Sequence, residues 1–192
     1  MGHKADVFEF KGAKALSQTI SGTALSDKSD DYESGAVRLT CTAHGYLAGS
    51  LIYLSGFVSP LGYLNGLKKI LAVATNTFDV AVKQGKYAAG TPGGTETARV
   101  GITLDESFSL ESFEIHLNAA SATEEDIEIA KDGESGSQFD FKSWDRDMNG
   151  EQDKDYRWDP PPHCNADDVI VATWANTNSK TWGIKWTARR HA

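Results

Sequence analysis

The chain has 192 residues, 40% of them hydrophobic and 24% charged, and its 27 acidic and 19 basic residues give a net charge of −8. That length and composition suit one medium or two small globular domains with a buried core, and the acidic balance argues against docking on a phosphate backbone. No run approaches the ~18 consecutive apolar residues of a membrane-spanning helix, and two cysteines exclude a disulfide-stapled scaffold and a four-cysteine zinc site.

The first segment, residues 1–35, is small and polar, with Ser17, Ser21, Ser26, Ser29 and Ser34 among scattered charges. It opens without the apolar run of a secretory signal, and Asp6 departs from the myristoylation pattern. Only Val7, Phe8 and Phe10 read as a strand. A segment of this composition buries too little surface to order itself alone. The expectation is an extended N-terminal arm, either a loosely packed extension or a tie across a neighbouring subunit, that a protease would remove from a folded 36–192.

Beyond it, eighteen glycines interrupt the chain every few residues, and short β-branched and aromatic runs lie between them. Such runs bounded by turn residues are strand signals. Val37-Arg38-Leu39-Thr40-Cys41 alternates apolar and polar. Ala43-His44-Gly45-Tyr46 and Gly49-Ser50 follow, then Ile52-Tyr53-Leu54-Ser55-Gly56, Leu64-Asn65-Gly66, Ile70-Leu71-Ala72-Val73 and Thr75-Asn76-Thr77-Phe78-Asp79-Val80. Asn65-Gly66 and Thr75-Asn76 are turn chemistry between apolar runs. From His44 to Val82 this succession resembles the small β-barrel module called the first catalytic cysteine half-domain of ubiquitin-activating enzymes, in outline closest to its copies in tailed-phage virion proteins. The resemblance implies a β-barrel over 36–100, with His44 at a turn. It gives Cys41 no catalytic role, because the module has no nucleophile of its own. The stretch Gly90-Thr91-Pro92-Gly93-Gly94-Thr95 lacks the Lys-Ser/Thr of a phosphate loop and reads as a linker.

Residues 101–192 carry strand candidates at 111–118, 126–130, 138–144, 154–159, 168–175 and 181–189, which suits a small sandwich or jelly-roll-like domain. Phe113, Ile115 and Leu117 alternate with Glu114 and His116, and Trp182, Ile184 and Trp186 alternate with Gly183, Lys185 and Thr187. Period two marks sheets with one buried face. Ser121-Ala122-Thr123-Glu124 fits a helix capping box, but Ile127 and Ile129 lie two apart and Gly133 closes the window, so a strand from about Asp126 is preferred to a helix. All five tryptophans fall in this part. The run Asp167-Asp168-Val169-Ile170-Val171-Ala172-Thr173-Trp174-Ala175-Asn176-Thr177-Asn178, followed by Thr181-Trp182-Gly183-Ile184, resembles the end of small β-sandwich proteins that tailed phages encode among their structural genes.

Few constellations point to chemistry. Asp145-Arg146-Asp147-Met148-Asn149-Gly150 matches the first half of a calcium loop, with Asp145, Asp147, Asn149 and Asp153 as ligands, but Tyr156 stands where a bidentate Glu is needed. A polar hairpin tip turned by Asn149-Gly150 is the preferred reading. His163-Cys164 after Pro160-Pro161-Pro162 reads as a rigid loop closing one end of the sandwich, with shielding of a sheet edge as a second use, since two adjacent ligands make no tetrahedral site. Cys41 and Cys164 fall in different modules and read as reduced thiols. No Gly-x-Ser-x-Gly elbow is present, and the run Glu124, Glu125, Asp126 reads as a solvated face. Trp182 and Trp186 read as core, with stacking on sugars as the competing use.

These readings give an all-β chain: a small β-barrel module followed by a β-sandwich, with an N-terminal arm. The resemblances imply a structural component of a tailed-phage virion, assembled in the host cytoplasm, as a capsid decoration or a tail or connector accessory. Its partners would be other virion proteins and copies of itself, with no nucleic acid, membrane, cofactor, metal or catalytic residue involved. The alternative is a receptor- or carbohydrate-binding virion tip.

Overall fold

A computed structural model describes residues 5–20, 26–27, 35–82, 92–93, 95–132 and 141–191. Apart from a 3-10 turn at Leu61–Leu64, the regular elements among them are all strands. In chain order these are β1 (Ala5–Gly12), β2 (Ser17–Thr19), β3 (Ser26–Asp27), β4 (Ala36–Thr40), β5 (Leu51–Ser55), β6 (Gly66–Ala74), β7 (Thr77–Ala81) and β8 (Thr97–Ile102). They continue as β9 (Phe108–Leu117), β10 (Asp126–Asp132), β11 (Phe141–Asp147), β12 (Asp153–Arg157), β13 (His163–Cys164), β14 (Val169–Thr173) and β15 (Trp182–Arg190). The fold is all-β, as the alternation of the sequence implies. No helix is long and apolar enough to cross a membrane, a statement that covers the described residues and not β-barrels.

Two antiparallel sheets result. The smaller has the order β1-β15-β9-β12, with β13 pairing β9 beyond β12. The larger runs β11-β10-β14-β8-β5-β6-β7-β4-β3, with β2 also on β8. Their inner faces share one continuous core, from Phe10 of β1 to Ala188 of β15. Aromatic rings bridge the sheets: Phe113 of β9 lies 5.9 Å from Trp144 of β11, and Trp144 stacks on Tyr156 of β12 at 5.1 Å. Trp158 donates its Nε1–H across the same gap to Ser143 Oγ at 3.0 Å. The pleat explains the burial. Phe113, Ile115, Leu117, Trp182, Ile184 and Trp186 point inward and are almost wholly buried, while Glu114, His116 and Lys185 point out. Val169–Ala172 of β14 is apolar without alternation because both faces of this inner strand are covered.

Four expectations change. The first concerns residues 1–35. Residues 5–20 lie in the sheets of their own chain, not across another: β1 pairs with β15 along its whole length, from Ala5↔Arg189 to Gly12↔Trp182. Phe10, Leu16 and Ile20 are fully buried, so three apolar side chains spaced along a polar segment suffice to anchor it. Leu16 stitches the larger sheet, donating to Trp174 O (3.1 Å) and accepting from Val100 N–H (3.0 Å). Trp182 lies directly over Gly12, where a Cβ would stand 2.5 Å from the indole.

Second, the 36–100 block does not close into a barrel. β4 pairs with β7 and β3, whereas β8 pairs with β5, β2 and β14. With both edges of β8 occupied, β4 has no strand on which to close. Third, the two sheets pack in the expected sandwich-like way, but the 101–192 strands do not form it by themselves. β9, β12, β13 and β15 join β1 in the smaller sheet, and β10, β11 and β14 extend the sheet built from 36–100. Fourth, β11 and β12 are not a hairpin. β11 pairs with β10 and β12 with β9, so the Asp-rich segment between them crosses from one sheet to the other.

Candidate functional site

A broad concavity among the described residues lies on the outer face of the smaller sheet. Strand register builds it. One cross-strand row reads Glu9, Lys185, Glu114, Asp155, and the next reads Lys11, Gly183, His116, Asp153. Gly183 contributes no side chain, and nothing lies within 4 Å of where its Cβ would be. The result is a groove of about 750 Å³ across β1, β15, β9 and β12, extended on its far side by Lys154 and Arg157. A dimple of about 260 Å³ continues it past Lys11, His116 and Gly183 toward Leu47, Asn118 and Thr181.

The electrostatics of the groove are mixed and wet. Lys185 Nζ pairs with Glu114 across the strands, and His116 Nδ1–H donates to the Asp153 carboxylate. His116 and Asp153 are each 68% exposed, so water screens this pair and it contributes little to stability. Among the described residues no serine or cysteine lines the groove, and Thr181 at its end is the one hydroxyl, so His116 has no nucleophile paired with it there. The surface is open and alternates in sign, without the one-signed field of a polyanion site or the enclosed apolar walls of a small-ligand pocket.

The four residues of the calcium reading are not brought together. Asp145 lies on β11 with Lys142 Nζ at 3.5 Å. Asp147 Oδ1 accepts the Asn149 backbone N–H at 2.9 Å, an Asx turn. Asp153 sits on β12 beside His116, in the other sheet. Gly150 has φ +75°, a left-handed conformation that favours glycine. The segment is clamped to residues 121–125: Gly150 N–H donates to Ser121 O (2.8 Å), Ser121 N–H to Glu151 O (3.0 Å) and Met148 N–H to Glu125 O (3.1 Å). Met148 is fully buried beneath it. No group of three or more His, Cys, Asp or Glu with metal-holding geometry occurs among the described residues.

The buried polar residues brace the fold. His44 donates from Nε2 to Ala74 O (2.9 Å) and Thr77 O (3.0 Å), while its Nδ1 accepts from Tyr46 N–H (2.9 Å). Both ring nitrogens are occupied, which fixes one neutral tautomer. Arg38 forks onto buried Asp79 directly opposite, at 2.7 and 2.9 Å. Asp168 takes Lys131 Nζ at 2.6 Å and Asn165 N–H at 2.8 Å. Asn176 bonds Lys14 O and both backbone groups of Lys180.

Cys41 and Cys164 are buried and free, and burial pushes each thiol up to about 11. At neutral pH they are poor nucleophiles. His163–Cys164 forms the short β13 on the edge of β9, with Pro162 O accepting from Leu110 N–H at 3.2 Å, so this segment does cover a sheet edge. Of the acidic run, Glu125 accepts from the Thr177 backbone and hydroxyl, which docks the Asn176–Asn178 turn. Glu124 and Asp126 are exposed, and of the linker Gly90–Thr95 only residues 92, 93 and 95 are described.

Sequence reading placed Glu114, His116, Gly183 and Lys185 on the face opposite the core but did not group them. Their meeting depends on the β9–β15 register and on β1, whose pairing partner lies at the other end of the chain. No protein family, curated protein or solved structure matches this chain, so the two resemblances rest on the sequence outlines alone.

Proposed function

We propose that the chain is a structural component of a tailed-phage particle, a capsid decoration or a tail or connector accessory, acting through protein–protein contacts. The particle assignment rests on the sequence outlines of 36–100 and 101–192. The mode of action rests on one observation: the buried polar groups and thiols are absorbed by the fold, while a broad concavity is an open sheet face of alternating charge. His44, Asp79, Asp168 and both thiols are buried and bonded or inert, and Trp174, Trp182 and Trp186 lie in the core, where they offer no platform for stacking sugars.

The alternative, a receptor- or carbohydrate-binding tip, needs an exposed aromatic face. Trp144 is the one tryptophan left half-buried, and its ring stacks on Tyr156. Quantitative mass spectrometry of density-purified particles from the source of this chain tests the proposal. The chain should band with the particles at a fixed ratio to the major shell protein, and a chain left wholly in the soluble fraction would refute it.

A further inference from the structure

Among the described residues, the first strand presents an edge that is unpaired over its N-terminal half. Lys11 N–H donates to Ser50 Oγ (2.9 Å), and Lys11 O accepts from Leu47 N–H (3.2 Å), both on the side away from β15. Backbone groups alternate sides along a strand, so Ala5, Val7 and Glu9 aim their N–H and C=O in that same outward direction. Among the described residues nothing bonds to them. Val7 is 55% exposed.

The other edge strands carry the usual protection. On β12 the groups facing β9 include Gln152 O, which accepts from Leu117 N–H, so Asp153, Asp155 and Arg157 face outward, and each is charged. β11 carries Lys142, Asp145, Arg146 and Asp147, and β3 has only two residues. Charge and shortness are the devices by which sheet edges avoid pairing. β1 lacks both at Ala5 and Val7.

We propose that this edge pairs with the same edge of a second copy, antiparallel, with Val7 on the two-fold axis. The register follows from geometry. The segment 45–50 already covers Lys11, so an incoming strand has only 5–9 to meet. The one two-fold register that uses all three outward residues sets Val7 opposite its counterpart and Ala5 opposite Glu9 in both directions. These are hydrogen-bonded pairs, each exchanging two N–H···O bonds, so about six bonds join the chains. Phe8, half-buried on the other face of β1, comes within diagonal reach of its counterpart. Asp6, next to the seam, carries no unpaired charge into it, because Arg190 binds its carboxylate. The pairing joins two smaller sheets into one and places their charged outer faces side by side.

The proposal rests on the reading of the chain as a component that works by contact with other proteins, and it names a second copy as one such partner. An interface of one short strand is below the ~1,600 Å² of a standard interface, so association is concentration-dependent, and sedimentation equilibrium of the full chain measures it. A reversible dimer is expected. Val7→Pro removes the axial N–H, which donates to nothing among the described residues, and should weaken the dimer at least tenfold while the melting temperature of the monomer stays close to that of the parent. Val7→Lys keeps the N–H, sets two like charges face to face, and should give the same loss if the proline variant fails to fold. A chain that stays monomeric at every attainable concentration, or a dimer that Val7→Lys leaves unchanged, overturns the pairing. Particles that nonetheless contain the chain would leave the structural role standing.

Discussion

Trp182 and Trp186, two residues apart on β15, are both buried, yet their indole nitrogens differ. Trp182 donates its Nε1–H to Lys14 O at 2.7 Å, whereas Trp186 Nε1 has no partner. Truncating either to Ala should cost ~3–5 kcal/mol, a large part of a domain's stability. Phenylalanine separates them. Trp186→Phe removes an unsatisfied donor, while Trp182→Phe also breaks a hydrogen bond worth ~0.5–1.5 kcal/mol. Urea unfolding should therefore rank Trp186→Phe above Trp182→Phe, and equal midpoints would contradict this packing. The thiols make a second prediction. Burial raises Cys41 and Cys164 from an ordinary value near 9 to about 11, so the folded state holds its thiol protons more tightly than the unfolded chain. Their contribution is fully present below pH 9 and is lost as pH rises toward 11, by on the order of 1–3 kcal/mol each. Ellman's reagent at pH 8 should find no fast-reacting thiol in the native protein and two after denaturation, and the loss of stability between pH 9 and 11 should shrink when both are replaced by Ala. A fast native thiol would contradict their burial.

At the scale of elements, the crossing between β11 and β12 predicts indifference to calcium. Asp145, Asp147 and Asp153 are committed to Lys142, to the Asn149 backbone and to His116. A site filled at a hundred times its dissociation constant would add ~2.7 kcal/mol, so calcium and a chelator should give the same melting temperature, and a clear rise with calcium would restore the metal site. This segment also marks where sequence reasoning stops. Strand positions were legible: β10 begins at Asp126 as the Ile127–Ile129 spacing implies, and β15 alternates as Trp182, Ile184 and Trp186 imply. Which strands pair was not. Asn149-Gly150 reads as a hairpin turn because such turns are local, but Trp144 and Tyr156 stack across the core and draw β11 and β12 into opposite sheets. The boundary expected at 100/101 falls inside β8, whose register with β14 makes it the join between both halves. Pairing partners far apart in the chain leave no local signal, so the groove residues were visible singly and their assembly was not.

For the whole molecule, the interlocking of early and late strands replaces a string of modules with one continuous core. β1 seals the edge of β15, Leu16 ties β8 to the end of β14, and Arg190 gathers Asp6, Asp105 and Glu106 at one corner. Deleting residues 1–20 should therefore unfold the chain or drop its melting temperature steeply, because Phe10, Leu16 and Ile20 leave the core with it. A truncated chain with an unchanged melting temperature would return this segment to the status of an arm. The proposed structural role has this molecule held among neighbours through its outward sheet face and its β1 edge. A density map of the intact particle tests this most directly. The account predicts this two-sheet shape at a repeated, symmetry-related position, with the outer face of the smaller sheet or the β1 edge against an adjoining protein. Particles whose ordered density contains no copy of the chain would contradict it.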